Sequence, residues 1–250
     1  MAGHSHSSNI ASRKGAVDQK RARIFNKLAR EIMSAVRQGG SDPDHNLKLK
    51  YALEKARAGN MPKDNIERVI KRAAGEKGGA GFEEITYEGY APGGVAIMAA
   101  CLTDNRARTA PDVRYIFDRH GGSIGSPGSV SFLFAFRSMF AAEKGARDED
   151  AWTELALDAG AEDVRIEGEL VTLIAPATDF LAVKHKVEEA GVKLLSAEIG
   201  WVPGSTVAIA DKEIARKVLS LIEALDENDD VQSVYANYDI PAEWAAELQG

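Results

Sequence analysis

The helical period of residues 18–37 constrains this chain more than any other feature. Set at about 100° per residue, Phe25, Leu28, Ala29, Ile32 and Val36 share one side, at the i, i+3, i+4, i+7, i+11 spacing of a stripe that must pack. Lys20, Arg23, Lys27, Arg30 and Arg37 share the other. Across residues 13–37 the cations are Arg13, Lys14, Lys20, Arg21, Arg23, Lys27, Arg30 and Arg37, against the acids Asp18 and Glu31. Folding demands the apolar stripe, but it does not demand an opposite face of one sign, because exposed helix faces ordinarily mix charges into i, i+4 pairs. The pattern predicts a face left unneutralised to meet a polyanion. Aromatic residues are not interleaved with the cations, which points to phosphate contact and shape rather than base stacking.

The whole chain repeats this asymmetry. Residues 1–77 hold 17 Lys/Arg and 8 Asp/Glu, a net of +9; residues 78–250 hold 14 and 30, a net of −16. A basic head on an acidic body implies a polyanionic partner at one end, with the body's field opposing non-specific adhesion elsewhere. At 250 residues the chain can build two or three cores. Cys101 is the single cysteine, so no disulfide forms within the chain, and its apolar surroundings mark an inert strand residue in a reducing compartment. MAGHSHSSN carries no apolar signal segment, and no run approaches the roughly 20 apolar residues of a membrane span. A cytoplasmic protein with no membrane partner is expected.

After the first helix, QGGSDP breaks the pattern. Asn46 is placed to cap a helix over residues 47–58 with Leu49, Ala52, Leu53 and Ala56 inward, ended by Gly59. A third helix follows Pro62, with Ile66, Val69, Ile70 and Ala73 inward. Three short amphipathic helices make a bundle. The linker GEKGGAG then marks a boundary, and the period changes. Residues 95–102 read as a buried strand, a helix starts near Thr109 with Pro111 in its first turn, and residues 129–136 read as a second strand. Residues 138–201 then give strand, helix, two strands meeting at Gly168, helix, strand, the ferredoxin-like order. A strand at 206–210, a helix with Ile214, Val218, Leu221, Ile222 and Leu225 inward, and a strand at 231–238 complete the half-unit left open at 136. The expected fold is α+β: an N-terminal helical bundle (1–77) and two ferredoxin-like α/β lobes. One lobe is split over 82–136 and 204–240, and the other, 137–203, is inserted in it.

Other motifs are weaker. The glycines of GGSIGSPGS match neither phosphate-binding spacing and precede a strand, so they read as a flexible turn. Asp226, Asn228 and Asp230 imitate a calcium loop, but Val231 stands where its Gly is required, leaving a solvated acidic turn. The five histidines show no metal-ligand spacing, and no nucleophile signature appears, so neither a metal, a cofactor nor a catalytic residue is assigned. In TDNRART a strand hands over to a helix. Arg106 and Arg108 either hold phosphate there or pair with nearby acids while Asp104 and Asn105 form the turn.

Several long stretches carry a resemblance. Asn9-Ile10, Arg13-Lys14, Lys20-Arg21, NMPKDNIERVIKR (60–72), YEGYAPGGVA (87–96), LTDNRARTA (102–110) and GSVSFLF (128–134) resemble the YebC/PmpR family over the whole chain. That family's mitochondrial members are translational activators of a cytochrome oxidase subunit. The resemblance implies a helical bundle with two α/β lobes around a cleft, no catalytic residues and no cofactor. It also implies a role as a DNA-binding transcriptional regulator or a ribosome-associated factor easing translation of proline-rich stretches. The family commonly has Lys-Trp at His6-Ser7 and Lys-His at Ala11-Ser12, so this arm lacks two basic positions and one stacking residue. The resulting expectation is a non-enzymatic regulator whose partner is DNA or ribosomal RNA, with Lys20, Arg23, Lys27 and Arg30 on phosphates and Arg106 and Arg108 as a second group. The alternative is a ligand-binding protein or enzyme working in the cleft.

Overall fold

The computed structural model describes residues 19–75 and 81–248; Arg13, Lys14 and the arm positions His6, Ser7, Ala11 and Ser12 lie outside the described residues. The chain is α+β and divides into two units, one formed by described residues up to 130 together with 216–234, the other by 131–215 with 235–248. The second unit therefore interrupts the first in sequence.

The first unit begins with the three expected helices, α1 (Gln19–Gly39), α2 (Leu47–Ala58) and α3 (Lys63–Gly75). Their stripes meet as one core: Leu28, Ile32 and Val36 from α1, Leu49, Ala52, Leu53 and Ala56 from α2, and Ile66 and Ala73 from α3 are buried, while Phe25, Ala29, Val69 and Ile70 pack half-buried at its edge. Asn46 joins two of these helices. Its Oδ1 accepts from the Leu49 N–H at 3.1 Å, capping α2, and its Nδ2 donates to the Ala35 and Gly40 carbonyls at 2.8 Å each. Asn46→Ala removes the cap and strands two carbonyls of the α1 end, so we expect a loss of about 2 kcal/mol, read as a lower urea midpoint. The helix stop differs in detail from the expectation. Gly59 keeps a negative φ, and Asn60 takes the left-handed position at φ 57°.

The sheet of this unit has the order β3-β1-β2-β9, from β1 (Glu83–Ala91), β2 (Val95–Thr103), β3 (Ser123–Ile124) and β9 (Val231–Ala236). β2 is buried along almost its whole length, as its unbroken apolar run requires. β1 was not legible as a strand, because Glu and Gly interrupt its alternation; it pairs antiparallel with β2 from Glu83 opposite Thr103 to Ala91 opposite Val95. The turn between them is Pro92-Gly93-Gly94, where both glycines hold positive φ (80° and 77°), a conformation L side chains resist. The helix α4 (Arg106–Arg119) starts three residues earlier than Pro111 suggested, because the Asn105 side chain accepts from Arg108 N–H and sets the cap there. Helix α7 (Lys212–Glu227) buries Val218, Leu221 and Leu225.

The second unit carries a sheet of order β5-β6-β4-β7. Its strands are β4 (Phe134–Glu143), β5 (Asp163–Glu167), β6 (Leu170–Pro176) and β7 (Leu194–Pro203), with α5 (Glu149–Ala159) after β4 and α6 (Phe180–Glu189) after β6. This is the ferredoxin-like arrangement with β4 central. Trp152 of α5 is fully buried and donates its indole N–H to the Lys144 carbonyl, and Phe140 of β4 stacks on Phe180 of α6 with centroids 5.4 Å apart.

Two strands differ from the sequence expectation. The run 129–136 is no strand of its own: residues 131–133 make a 3₁₀ turn and Phe134 onward belongs to β4. The expected strand at 206–210 shrinks to β8 (Val207–Ala208), which pairs parallel with β10 (Tyr238–Asp239) instead of joining the first sheet. A last helix, α8 (Ala242–Leu248), closes the described chain.

Candidate nucleic-acid interface

The basic side of α1 meets the chain's own acids. Arg23 pairs with Glu227 at 2.5 Å. Lys27 donates to the Asp226 carbonyl at 2.6 Å and to its carboxylate at 3.1 Å. Arg30 donates to the Asp230 carboxylate at 2.5 Å and to the Asp229 carbonyl at 3.0 Å. These acids lie at the end of α7 and in the turn entering β9. The turn is set by local bonds: Asn228 Oδ1 accepts from Asp230 N–H, and Leu102 N–H donates to the Asp230 carbonyl at 2.8 Å, holding this residue beside the end of β2.

Asp230 is the centre of the cluster, its side chain only 5% exposed. Besides Arg30 it receives Arg108 Nη2 at 2.9 and 3.0 Å on its two oxygens and the Thr109 hydroxyl at 2.8 Å. The Asn105 cap places both Arg108 and Thr109 in the first turn of α4, which is how three distant segments reach one carboxylate. Burial would raise the Asp230 carboxyl, but hydrogen bonds from Arg108, Arg30 and Thr109 outweigh it and hold the group below the usual carboxylate range.

The expectation of an unneutralised face is thereby corrected for Arg23, Lys27 and Arg30, and so is the reading of Asp226–Asp230 as a solvated turn. The partners lie about 200 residues apart, out of reach of any local pattern. The one available signal was sign, an acid-rich DENDD facing a basic helix.

The remaining predicted residues separate. Arg21 is exposed and sits over the Phe25 ring, 5.3 Å from its centroid; Arg37 is half-buried over Phe82 at 5.4 Å. Lys20 belongs to α1, but its side chain lies outside the described residues. Arg106 is exposed and touches Glu83 at 3.4 Å. Arg108 is bound to Asp104 and Asp230, the reading in which the arginines pair with nearby acids.

On α2 and α3 several cations are also left outward. Lys50, Arg68 and Lys71 are exposed and make no ion pair among the described residues, whereas Lys48 and Arg57 reach Glu84 and Glu54. A shallow groove of about 210 Å³ runs between α1 and α3, with Arg68 at its rim.

The glycine-rich loop and the single cysteine both have internal explanations. The loop is pinned, not free: the Gly128 and Val130 N–H groups both donate to the buried Glu88 carboxylate at 2.8 Å, so a resident anion already holds the amides a phosphate would use. Cys101 is buried, and burial, with the Asp230 charge behind it, pushes its thiol up to about 12. The native chain should therefore not react with a thiol reagent at pH 8, and should do so at once on unfolding in urea. Among the described residues no group of His, Cys, Asp and Glu is placed to hold a metal, and no helix is long and apolar enough to cross a membrane.

Comparison with known proteins finds one family over most of the chain. Residues 5–76 match the TACO1/YebC protein N-terminal domain, and residues 82–238 match the TACO1/YebC second and third domain. A protein of Rubrobacter xylanophilus named a probable transcriptional regulatory protein is 49% identical over 251 residues, covering 100% of both chains. One of the same name from Moorella thermoacetica is 50% identical over 97% of each. The crystal structure of a conserved hypothetical protein from Aquifex aeolicus superposes with a TM-score of 0.80 at 46% identity, covering 90% of this chain and 93% of that one.

Proposed function

The chain belongs to the TACO1/YebC family, and on that premise we propose that it is a non-enzymatic, cytoplasmic regulator of gene expression that binds nucleic acid through the outer surface of its helical bundle. The relatives' names support a regulatory role. The observation that carries the binding surface is the contrast within the bundle. The cations of α1 nearest the body are matched by carboxylates, while Lys50, Arg68 and Lys71 on α2 and α3 are left outward, and Arg21 on α1 is exposed as well. Lys20, Arg13 and Lys14 are further proposed phosphate contacts by sequence alone. Arg23, Lys27 and Arg30 contact phosphate only by giving up Glu227, Asp226 and Asp230. Arg106, held loosely by Glu83, is a secondary contact.

DNA and ribosomal RNA present the same phosphates, so the target is decided by experiment. Lysate is sedimented through sucrose gradients at low and high salt. Co-migration with ribosomes that salt removes assigns the translational role; absence from ribosomes, with footprints on promoter fragments, assigns the transcriptional one. A chain that binds neither at low salt overturns the proposal.

A further inference from the structure

We infer that the groove between α1 and α3 is a pocket for one unstacked base of a single-stranded nucleic acid. The inference rests on the bundle being the nucleic-acid surface and adds to it what that surface takes. The groove is lined on its inner side by Ala29, Met61 and Val69, which pack on the bundle core, and by Phe25, Asn26 and Asn65. At about 210 Å³ it is smaller than the ~300–1,000 Å³ of pockets for drug-sized ligands, so it suits a flat ring system and excludes a large cofactor.

Its polar groups match a base and its phosphate. The carboxamides of Asn26 on α1 and Asn65 on α3 have no hydrogen-bond partner among the described residues. Each offers a donor and an acceptor together, the combination that reads the edge of a base. Arg68 at the rim and Arg21 over the Phe25 ring supply positive charge on both helices, complementary to the phosphates that flank any base. An aromatic ring, apolar packing, two carboxamides and a lining arginine describe single-strand binding, in which unstacked bases are packed and hydrogen-bonded on their edges. A duplex, with its bases stacked inward, cannot fill such a groove.

The test measures binding of the full chain to a fluorescein-labelled 12-nucleotide single strand of mixed sequence, to an abasic strand of equal length, and to the duplex. The mixed strand is expected to bind roughly tenfold more tightly than the abasic one. The double variant Asn26→Ala, Asn65→Leu should bring the mixed strand down to the abasic level. Abasic binding, its salt dependence and the thermal midpoint should stay unchanged, since neither carboxamide serves the fold. Ala29→Met, which fills the groove, should likewise bring the mixed strand down to the abasic level.

Equal binding of the two strands by the unaltered chain, or a double variant that still discriminates, overturns the inference while leaving phosphate binding intact. Binding of poly-glutamate as tight as that of the strand also overturns it, because the groove then takes an acidic peptide. No binding of any strand or of the duplex defeats the underlying reading as well. RNA and DNA versions of the strand distinguish the source of the base.

Discussion

Asp230→Ala should destabilise the chain by about 3 kcal/mol and lower the thermal midpoint by roughly 6–12 °C. The loss comes from what stays behind. Arg30, Arg108 and Thr109 all point at a carboxylate that is 5% exposed, and without it two guanidinium groups are left facing each other across the vacated site. Deep burial of both partners would place the cost at the upper end of ~3–5 kcal/mol, but Arg30 and Arg108 are 27% and 47% exposed, so water recovers part of it. Asp230→Asn, which keeps the shape and one acceptor, should cost less. Thermal unfolding followed by circular dichroism separates the three proteins, and an Asp230→Ala midpoint within 2 °C or so of the parent would refute the central role of this carboxylate.

The same cluster has a pH signature. The folded Asp230 carboxyl is held below its ordinary value, so the unfolded chain binds a proton more readily than the folded one. The stabilisation is complete above the ordinary carboxylate range near pH 4 and is lost as pH falls below it. Acid unfolding of the parent should be steeper there than that of Asp230→Asn, which has no proton to gain.

Reversing Arg68 and Lys71 to Glu should weaken nucleic-acid binding roughly 100-fold at moderate salt and reduce the slope of log affinity against log salt by about 2. Both side chains are exposed and unpaired by any described carboxylate, so their reversal leaves the fold alone, and the whole effect belongs to the encounter with phosphate. The counter-experiment neutralises the acids instead. Asp226→Asn with Glu227→Gln removes the half-exposed carboxylates that face Lys27 and Arg23, with little loss of stability, while the Asp226 carbonyl still holds Lys27. If α2 and α3 carry the contact, affinity should hardly change. A large gain in affinity, with an unmoved Arg68/Lys71 variant, would return the phosphate contacts to α1.

How far the sequence could be read depended on distance along the chain. The helices of the bundle are legible because period, cap and stop lie within a dozen residues of one another: the stripe of α1, the Asn46 cap and the inward residues of α2 all stand where the pattern places them. The α+β class and the order of elements in residues 138–201 were legible for the same reason. Strand identity was less so. β1 mixes Glu and Gly into its alternation, and its pairing with β2 is what makes it a strand. The 129–136 run looked like a strand because it is apolar, yet its first half turns and only its second half finds a partner, in β7.

The site shows the sharper division. By itself the sequence determined that one end of the molecule is basic, that α1 has a cationic side, and that the rest of the chain is acidic, because charge and helical period are properties of residue type and spacing. Only the tertiary structure decided which cations remain available. It carries Asp226, Glu227 and Asp230 across some 200 residues of chain onto Arg23, Lys27 and Arg30, and it leaves Lys50, Arg68 and Lys71 outward. It also brings Asn26 and Asn65 to one groove. A charge is set by its side chain, but whether it is neutralised depends on what stands within a few ångströms, where Coulomb and hydrogen-bond energies are decided, and that distance exists only in the folded chain.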